Sequence, residues 1–446
     1  MKKSQIYNCL VAYAKKKPLR FHMPGHKGKS SVIKGVKVAE DITELSFSDA
    51  LINPTGVIKN AQDSVSEILR VKKCFFTTDG STSAILAMLY AVSKLGSKLI
   101  INRGAHASVY NGLALMGISP IIVGGYVNGE ITVPTVAEVD NALTNHPDAV
   151  GVLLTSPDYF GKVIDLKGIK EVTKKHKKLF LIDGAHGSHL RFIASGLYAG
   201  DYADAYVDGV HKTMPCLTQT AILCVNETSL IEPIQSGLKI FRTSSPNYLL
   251  LASIEQGVYF MQDKGRVLIE NLKKHIQKLI LDIQKQGVRL IVNDDPLKIT
   301  LDLDSLSLSA FDAEKLFEKN KVYLEMIAGN KALIYLSALT TKRDIKKLKR
   351  ILLKVKSKAI KTVDGEKVTL KTPERALDYV CATKSEYQTV ALKDAVGKIS
   401  ADSVGLFPPC YPLVTAGEVF DEETVNLLIK SYNTFGVIDG KVKVIK

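Results

Sequence analysis

Cysteine is scarce in this sequence, and long hydrophobic runs are missing from it. The six cysteines stand at positions 9, 74, 216, 224, 381 and 410, and none of them forms a C-x-x-C pair. This spacing excludes a zinc-binding cysteine framework and favours a reducing compartment. No apolar run approaches the ~18 residues that would span a bilayer. We therefore expect a cytoplasmic protein that holds no structural metal and makes no membrane contact.

The chain also lacks internal repeats and low-complexity segments. Its first 18 residues have basic flanks like those of a signal peptide, but Asn8 interrupts the apolar centre. Ile6, Leu10 and Tyr13 fall on one helical stripe. This pattern predicts an amphipathic helix that ends before Pro18, rather than an export signal.

Acidic residues are outnumbered by basic ones. The 60 lysines and arginines against 45 aspartates and glutamates give a formal net charge of +15. Such a charge occurs in proteins that bind nucleic acid, membranes or acidic ligands. Here the lysines are spread along the chain without interleaved aromatics, so nucleic acid is not expected as a partner. The densest basic run, 341–361, has apolar residues at helical spacing and predicts a helix with a basic outer face.

Short apolar runs alternate with amphipathic stretches through the first two-thirds of the chain. This alternation predicts an α/β fold with a mostly parallel sheet covered by helices on both faces. Near residue 285 the pattern changes to that of half-buried strands, which indicates a smaller α+β domain. We expect an N-terminal arm over 1–60, a large domain over 61–280 and a C-terminal small domain over 281–446. The predicted strands are 98–104, 149–157, 178–187, 204–212 and 220–226, and the predicted helices between them are 81–96 and 166–178.

Polar side chains cluster just after the predicted strands, where ligands bind in open α/β sheets. The stretch DGSTSA places Gly80, Ser81 and Thr82 at the start of a helix. Backbone N–H groups and hydroxyls can hold an anion there, although serine and threonine are also ordinary N-cap residues. His106 follows another predicted strand, where a structural role is the common one.

Two further strand ends carry an acid and a lysine. Asp183 ends an apolar run, where a buried carboxylate needs a cation or several hydrogen-bond donors. Lys212 follows Asp183 by 29 residues, which corresponds to one strand–helix–strand crossover. Both side chains should therefore reach the same edge of the sheet. A lysine that is partly desolvated there becomes a nucleophilic amine. Together with the anion-binding turn, this pair suits pyridoxal phosphate.

In their order along the chain, these stretches resemble the motifs of the ornithine/lysine/arginine decarboxylase family of fold type I pyridoxal-phosphate enzymes. The resemblance covers nearly the whole chain from about Pro18 onward, and it is to the short form of the family, which lacks the N-terminal wing domain. The matching motifs are FHMPGHKG (21–28), DITELSFSDALINPTGVI (41–58), DGSTSA (79–84), RGAHASVYNG (103–112), TSPDYFG (155–161), DGAHGSHLRF (183–192), HKTMPCLTQTA (211–221), TSSPNYLLLAS (243–253) and FPPCYPLVTAGE (407–418).

The resemblance implies roles for these residues around pyridoxal phosphate, which the large domain would bind. Lys212 would be the Schiff-base lysine and Asp183 the partner of the pyridine nitrogen. His106 would stack on one face of the ring, with Ala185 on the opposite face. The remaining cofactor-binding residues are the three of the phosphate turn, two histidines, and two hydroxyl residues that reach the phosphate across a dimer interface: Gly80, Ser81, Thr82, His186, His211, Thr243 and Ser244.

The reaction implied is the decarboxylation of a basic amino acid, which gives a polyamine or a polyamine precursor and carbon dioxide. Arginine, lysine and ornithine remain open as substrates, with arginine to agmatine favoured. Lys212, Asp183 and His211 would be catalytic, in a homodimer or higher homo-oligomer with shared active sites. The alternatives are another pyridoxal-phosphate reaction, such as transamination, or a non-enzymatic regulatory descendant of the family. The acids that could bind the distal cation of the substrate are Glu44, Asp49 and Glu418.

The chain departs from the family pattern at several positions. Gly209 stands where a phosphate-binding serine is usual, and Ala107 where a lysine is usual. Asp158 occupies a threonine position. Cys410 and Ala416 replace a glycine and a proline. These departures bear on cofactor affinity and on substrate choice.

Overall fold

In the computed structural model the chain forms two compact units. The domain boundaries expected at residues 60 and 280 stay a prediction. The residues that the structure describes are 3–29, 33–127, 130–193, 196–356, 370–407, 410–431 and 433–446. The first unit comprises Met1–Lys94, Leu181–Glu270 and Ser337–Leu339, and the second comprises Leu95–Phe180, Asn271–Leu336 and Thr340–Lys446.

Helices and strands alternate along most of the described chain. The helices are α1 (Gln5–Lys15), α2 (Val57–Leu69), α3 (Gly80–Ser93), α4 (Ala107–Met116), α5 (Val136–Asn145), α6 (Leu166–Lys175), α7 (Val210–Thr213), α8 (Ile231–Phe241), α9 (Tyr248–Phe260), α10 (Arg266–Gln284), α11 (Ala310–Lys319), α12 (Lys342–Lys356), α13 (Tyr379–Lys384) and α14 (Glu422–Lys430). The strands are β1 (Lys73–Thr77), β2 (Lys98–Asn102), β3 (Ser119–Val123), β4 (Tyr126–Val127), β5 (Glu130–Ile131), β6 (Gly151–Thr155), β7 (Leu179–Asp183), β8 (Ala205–Asp208), β9 (Ala221–Val225), β10 (Leu290–Val292), β11 (Lys298–Asp302), β12 (Met326–Ala328), β13 (Lys331–Tyr335), β14 (Tyr387–Ala391), β15 (Val404–Leu406), β16 (Pro412–Val414), β17 (Thr434–Phe435) and β18 (Lys441–Ile445).

The largest sheet has seven strands in the order β1-β9-β8-β7-β6-β2-β3. Parallel pairing joins β7 to β8, and β2 to both β3 and β6. Strand β9 runs antiparallel to its neighbours β8 and β1. Its residues are buried along its whole length, as expected for an apolar strand covered on both faces. The predicted α/β fold with a mostly parallel sheet is confirmed.

The loop after β8 differs from the prediction of one strand over 204–212. The strand ends at Asp208, and Gly209 turns the chain into the single helical turn α7. A Cβ atom on Gly209 would lie only 2.7 Å from the carbonyl oxygen of Ala185, so this close approach requires glycine. The Lys212 N–H donates to the carbonyl of Gly209 at 2.9 Å. Lys212 is therefore presented from a short helix rather than from a strand.

The amphipathic N-terminal helix is present as α1, with Ile6 and Leu10 fully buried. Its first turn is held by Glu255, a buried carboxylate on α9. Glu255 accepts the Ser4 hydroxyl at 2.6 Å and the Gln5 N–H at 2.8 Å. An acid at this position satisfies N–H groups that the helix itself leaves unpaired.

The second unit includes smaller antiparallel sheets besides its strands of the large sheet. Strands β10, β11, β13 and β12 form a four-stranded antiparallel sheet. The basic run forms α12, which buries Ile345, Ile351, Leu352 and Val355, while residues 357–361 of that run lie outside the described residues. Among the helices that the structure describes, none is both long and apolar enough to cross a membrane.

A buried ion pair fixes the C-terminal segment within the second unit. Arg103 and Glu418 are 0% and 3% exposed and form a bidentate pair. Arg103 also donates to the Leu413 carbonyl at 2.7 Å. Glu418 additionally accepts from Arg375 at 3.0 Å and from the Thr415 N–H at 2.8 Å. Because removal of one partner would leave a buried charge uncompensated, this cluster has a structural role.

Candidate active site

Lys212 lies at the edge of the sheet in direct contact with a histidine. Its Nζ atom is 2.9 Å from Nε2 of His186, a side chain that is 8% exposed. A lysine ammonium has donors only, so Nε2 of His186 accepts this hydrogen bond while Lys212 is protonated. The sequence places these residues 26 positions apart and gives no sign that they touch.

Asp183 ends the neighbouring strand β7 and is 4% exposed. Its Oδ1 accepts the N–H of Ala185 at 3.1 Å. Strands β7 and β8 are parallel with Asp183 opposite Val207, so Asp183 and the segment that carries Lys212 leave the sheet at one edge. This is the placement that the crossover spacing predicts. A buried carboxylate with one backbone donor is suited to pair with a cation.

His211 is held as a neutral imidazole. Burial lowers its pKa, and the charge of Lys212 lowers it further, against the opposing effect of a hydrogen bond to Thr220. Nδ1 lies 2.6 Å from the Thr220 carbonyl, which can only accept, so Nδ1–H is the donor. The lone pair of the neutral ring is therefore on Nε2, where it can take up a proton.

The predicted anion-binding turn begins helix α3. Gly80 has a φ of +74°, and its N–H donates to the Gln219 carbonyl at 2.8 Å. A Cβ atom at Gly80 would meet nothing within 4 Å, so open space lies beside the turn. The Ser83 hydroxyl is hydrogen-bonded to the Thr77 hydroxyl, with 2.9 Å between their oxygen atoms. Within the described part of the chain, the hydroxyls of Ser81 and Thr82 make no hydrogen bond and point to no competing partner.

Thr243 and Ser244 are exposed in the loop between α8 and α9. The Thr243 N–H donates to Oδ2 of Asp79 at 3.3 Å, and the Thr243 hydroxyl accepts the Ser245 N–H at 3.1 Å. Asp79 directly precedes the anion-binding turn. This loop is therefore anchored beside the turn of its own chain, and both hydroxyl side chains remain exposed.

His106 belongs to the second unit, where it caps helix α4. Its Nδ1 accepts the Ser108 N–H at 3.1 Å, which fixes the ring and leaves the hydrogen of the neutral imidazole on Nε2. The following residue, Ala107, donates its N–H to the Cys410 carbonyl at 2.8 Å. The stacking role of His106 stays a prediction.

The departures from the family pattern have local structural consequences. Cys410 has a φ of +64°, a conformation that favours the glycine it replaces. Asp158 accepts the Lys162 N–H at 2.7 Å and closes a turn, and burial raises its pKa. Ala416 is fully buried. Residues 408 and 409 of the C-terminal motif lie outside the described residues.

The three acids that could bind the substrate differ in the hydrogen-bond partners that their carboxylate oxygens have within the protein. Asp49 accepts N–H groups at the start of α2, including those of Thr55 at 2.8 Å and Gly56 at 2.7 Å. Burial alone would raise the pKa of Asp49, but these backbone hydrogen bonds lower it. Glu418 is engaged by two arginines. Glu44 accepts the Thr43 hydroxyl on Oε2 at 2.7 Å, and its buried Oε1 has no hydrogen-bond partner within the described residues.

One buried acid near the site was not identified from the sequence. Asp208 ends β8 and is 1% exposed. The Tyr198 hydroxyl donates to its Oδ2 at 3.0 Å, and the Tyr206 hydroxyl lies 2.8 Å from that of Tyr198. Burial raises the pKa of Asp208 to about 8, with a further contribution from the charge of Asp183. The available signal was an acid followed by glycine at a strand end, four residues before Lys212.

These groups fit pyridoxal phosphate by their chemistry. A buried carboxylate suits a protonated ring nitrogen, a half-buried amine suits the aldehyde, and a helix N-terminus with open space and unengaged hydroxyls suits the phosphate. No group of three or more metal-ligating side chains that could hold a metal ion occurs among the residues that the structure describes.

Comparison with known proteins agrees with this chemistry. The family described as "Orn/Lys/Arg decarboxylase, major domain" matches residues 4–300. The arginine decarboxylase of Bacillus subtilis is 30% identical over 98% of this chain and 95% of its own length. The constitutive lysine decarboxylase of Escherichia coli is 23% identical over 60% of this chain and 43% of its own length.

Similarity to solved structures supports the same fold. The crystal structure of the Francisella novicida lysine decarboxylase has a TM-score of 0.82 and 18% identity, and the match covers 99% of this chain and 81% of that chain. The chain therefore belongs to the Orn/Lys/Arg decarboxylase family and is a fold type I, pyridoxal-phosphate-dependent decarboxylase of basic amino acids.

Proposed function

We propose that this enzyme decarboxylates arginine to agmatine and carbon dioxide in the cytoplasm, and that agmatine serves polyamine synthesis. The observation that carries the decarboxylase chemistry is the pairing of Asp183 and Lys212 at one edge of the sheet. The choice of arginine rests on the near full-length sequence similarity to the Bacillus subtilis arginine decarboxylase, because the sequence similarity to the Escherichia coli lysine decarboxylase is lower and covers less of both chains.

The proposed site binds the cofactor at three points of the large domain. When bound, pyridoxal phosphate supplies an aldehyde that condenses with amino groups and a protonated ring that withdraws electrons from the bond being broken. Asp183 would accept a hydrogen bond from the protonated ring nitrogen and so keep the proton on the ring. Ser81 and Thr82, at the N-terminus of α3, hold the phosphate with Gly80. Lys212 would hold the cofactor through its aldehyde group. Ala185 would lie against one face of the ring.

Three side chains would handle the protons of the reaction. After carbon dioxide leaves, the α-carbon of the substrate must receive one proton. Nζ of Lys212 lies 2.9 Å from Nε2 of His186, so this pair could hold that proton and Lys212 could deliver it. Nε2 of neutral His211 is a second group that can take up and return a proton. Each complete turnover consumes one proton from solvent.

The cofactor assignment predicts a single reactive lysine. Borohydride treatment of the cofactor-loaded protein should attach the cofactor irreversibly to Lys212, because that amine lies at the sheet edge beside Asp183. Peptide mass mapping locates the label. Lys212→Ala should abolish turnover of arginine, whereas Lys264→Ala, at an exposed position of the helical segment between α9 and α10, should leave it unchanged. A label on another lysine, or full activity of Lys212→Ala, would refute the assignment.

Glu44 is the proposed partner of the substrate guanidinium. Its Oε1 is buried without a hydrogen-bond partner in the described residues, while Asp49 and Glu418 are occupied by internal partners. Its charge also acts on Tyr248, which begins the helix after Thr243 and Ser244. Glu44 therefore lies near the segment whose hydroxyls, Thr243 and Ser244, are proposed to bind the phosphate. A carboxylate can hold a guanidinium through paired charge-assisted hydrogen bonds.

Substrate selectivity tests this role. We expect amine and carbon dioxide to form fastest from arginine when arginine, lysine and ornithine are compared. Glu44→Gln should raise KM for arginine at least about tenfold with a smaller change in kcat, because a charge-assisted hydrogen bond contributes about 1.5–3 kcal/mol. Glu40→Gln is the matched control. An unchanged KM in Glu44→Gln removes Glu44 from the site, and keto-acid products instead of amines would indicate transamination.

We further propose a homodimer with shared active sites. Leu19, Phe21 and Met23 are 87%, 93% and 62% exposed in the chain, which is an unusual run of apolar surface for an isolated protein. A second copy of the chain would cover it. The exposed hydroxyls of Thr243 and Ser244 would then reach the phosphate of the partner. A contribution within the same chain is the competing arrangement, because Thr243 contacts Asp79.

Subunit mixing separates the two arrangements. Lys212→Ala and a Thr243→Ala/Ser244→Ala double variant should each be severely impaired alone. If the sites are shared, a mixed dimer holds one intact site and regains roughly half of the activity of a normal dimer. Exchange is verified by native mass spectrometry of differently tagged chains. If the subunits exchange and no activity returns, each site is built within one chain.

A further inference from the structure

A second carboxylic acid lies next to the proposed site without an evident role in the reaction. Asp208 ends β8 beside β7, the strand that ends in Asp183. Both acids are at least 96% buried, because they are 1% and 4% exposed. Two carboxylates in neighbouring buried positions resist being ionised together, since each charge disfavours the other and burial disfavours both.

The surroundings of Asp208 contain hydroxyls rather than cations. Tyr198 donates to Oδ2, and Tyr206 bonds to Tyr198 in turn. Oδ1 is buried and has no hydrogen-bond partner among the described residues. No salt bridge to Asp208 is found in that part of the chain either. Among the residues that the structure describes, no cation pairs with Asp208 to compensate a negative charge.

Each titratable group that interacts with Asp208 favours its neutral form or is itself neutral. Asp183 on β7 raises the pKa of Asp208. Burial keeps Tyr198, Tyr206 and the Cys224 thiol on β9 protonated by raising their pKa values well above the ordinary range. On α7, the ammonium of Lys212 is directed to His186 instead. The hydrogen bond from Tyr198 is the one opposing influence, and it is weaker than burial.

We propose that Asp208 is a positioning residue that stays protonated, so that Asp183 carries the single negative charge facing the cofactor's ring nitrogen. The neutral acid supplies shape and a hydrogen-bond partner for Tyr198 without adding a second anion behind Asp183. The charge opposite the ring nitrogen is then fixed at one unit. This inference rests on the proposed placement of Asp183 at the ring nitrogen.

The asparagine variant is the direct test, because an amide has the size and the neutral charge of a protonated acid. Cofactor-loaded Asp208→Asn should keep the absorbance maximum of the bound cofactor at pH 7, and its kcat and KM should stay within about twofold of the wild type. If it folds but loses the cofactor or at least tenfold in kcat, the negative charge of Asp208 is required and the proposal is wrong.

The pH dependence of stability gives a second readout. Burial raises the pKa of the Asp208 carboxyl to about 8 in the folded chain, whereas its ordinary value is 3.8. Because the folded state holds the proton more tightly, its contribution to stability is complete below pH 4 and is lost as the pH rises through about 8. The unfolding temperature of the wild type should therefore fall relative to Asp208→Asn between pH 5 and pH 8, and the gap should then stay constant.

Asp201→Asn, which changes an exposed acid of the same segment, is the matched control and should run parallel to the wild type. A wild type that also runs parallel to Asp208→Asn would show that Asp208 is already ionised at pH 5. If Asp208→Asn does not fold, infrared pH-difference spectra of the wild type decide, because a protonated buried carboxyl gives a carbonyl band that disappears near pH 8. Absence of that band contradicts the proposal. The stability and infrared readouts do not depend on arginine turnover, so a failure of the proposed function is recognised separately.

Discussion

The burial of one negative charge organises this active site. Asp183 is 4% exposed at the end of a hydrophobic strand, and among the described residues one backbone N–H, that of Ala185, donates to it. A carboxylate in such a place is stable when a cation binds against it. A protonated pyridine nitrogen meets that requirement. In the proposed site the fixed anion would stabilise the ring most when electron density flows into it, which is the condition for lowering the barrier.

The backbone around Asp183 is arranged to bring an amine to the same edge. A parallel strand, β8, follows by one crossover, and Gly209 allows its loop to approach Ala185 closely. The short helix α7 then presents Lys212 against His186. Asp208 occupies the adjoining buried position, where a hydroxyl pair accommodates it as a neutral acid. The backbone packing that brings Lys212 to this edge therefore also buries the two acids, Asp183 and Asp208.

Much of this arrangement follows from pattern and spacing. Apolar runs predicted the sheet, and the spacing of 29 positions from Asp183 to Lys212 predicted their common edge. Spacing cannot report side-chain contacts across elements, so the contact of Lys212 with His186 was not foreseen. Nor could the sequence tell which of Glu44 and Glu418 is available to a substrate, because the two differ in the hydrogen bonds that their carboxylate oxygens make in the folded chain. The strand predicted over 204–212 was too long because the close approach at Gly209 is a tertiary effect.

The measurement that tests this account most directly is the rate of the chemical step in Asp183→Asn. The amide keeps the size of the side chain and removes its charge. With the cofactor still attached to Lys212, single-turnover decarboxylation should slow on the order of 100-fold or more, equivalent to about 2.7 kcal/mol or more of lost transition-state stabilisation. A single-turnover rate near that of the wild type would show that Asp183 is a buried structural acid and would contradict the account.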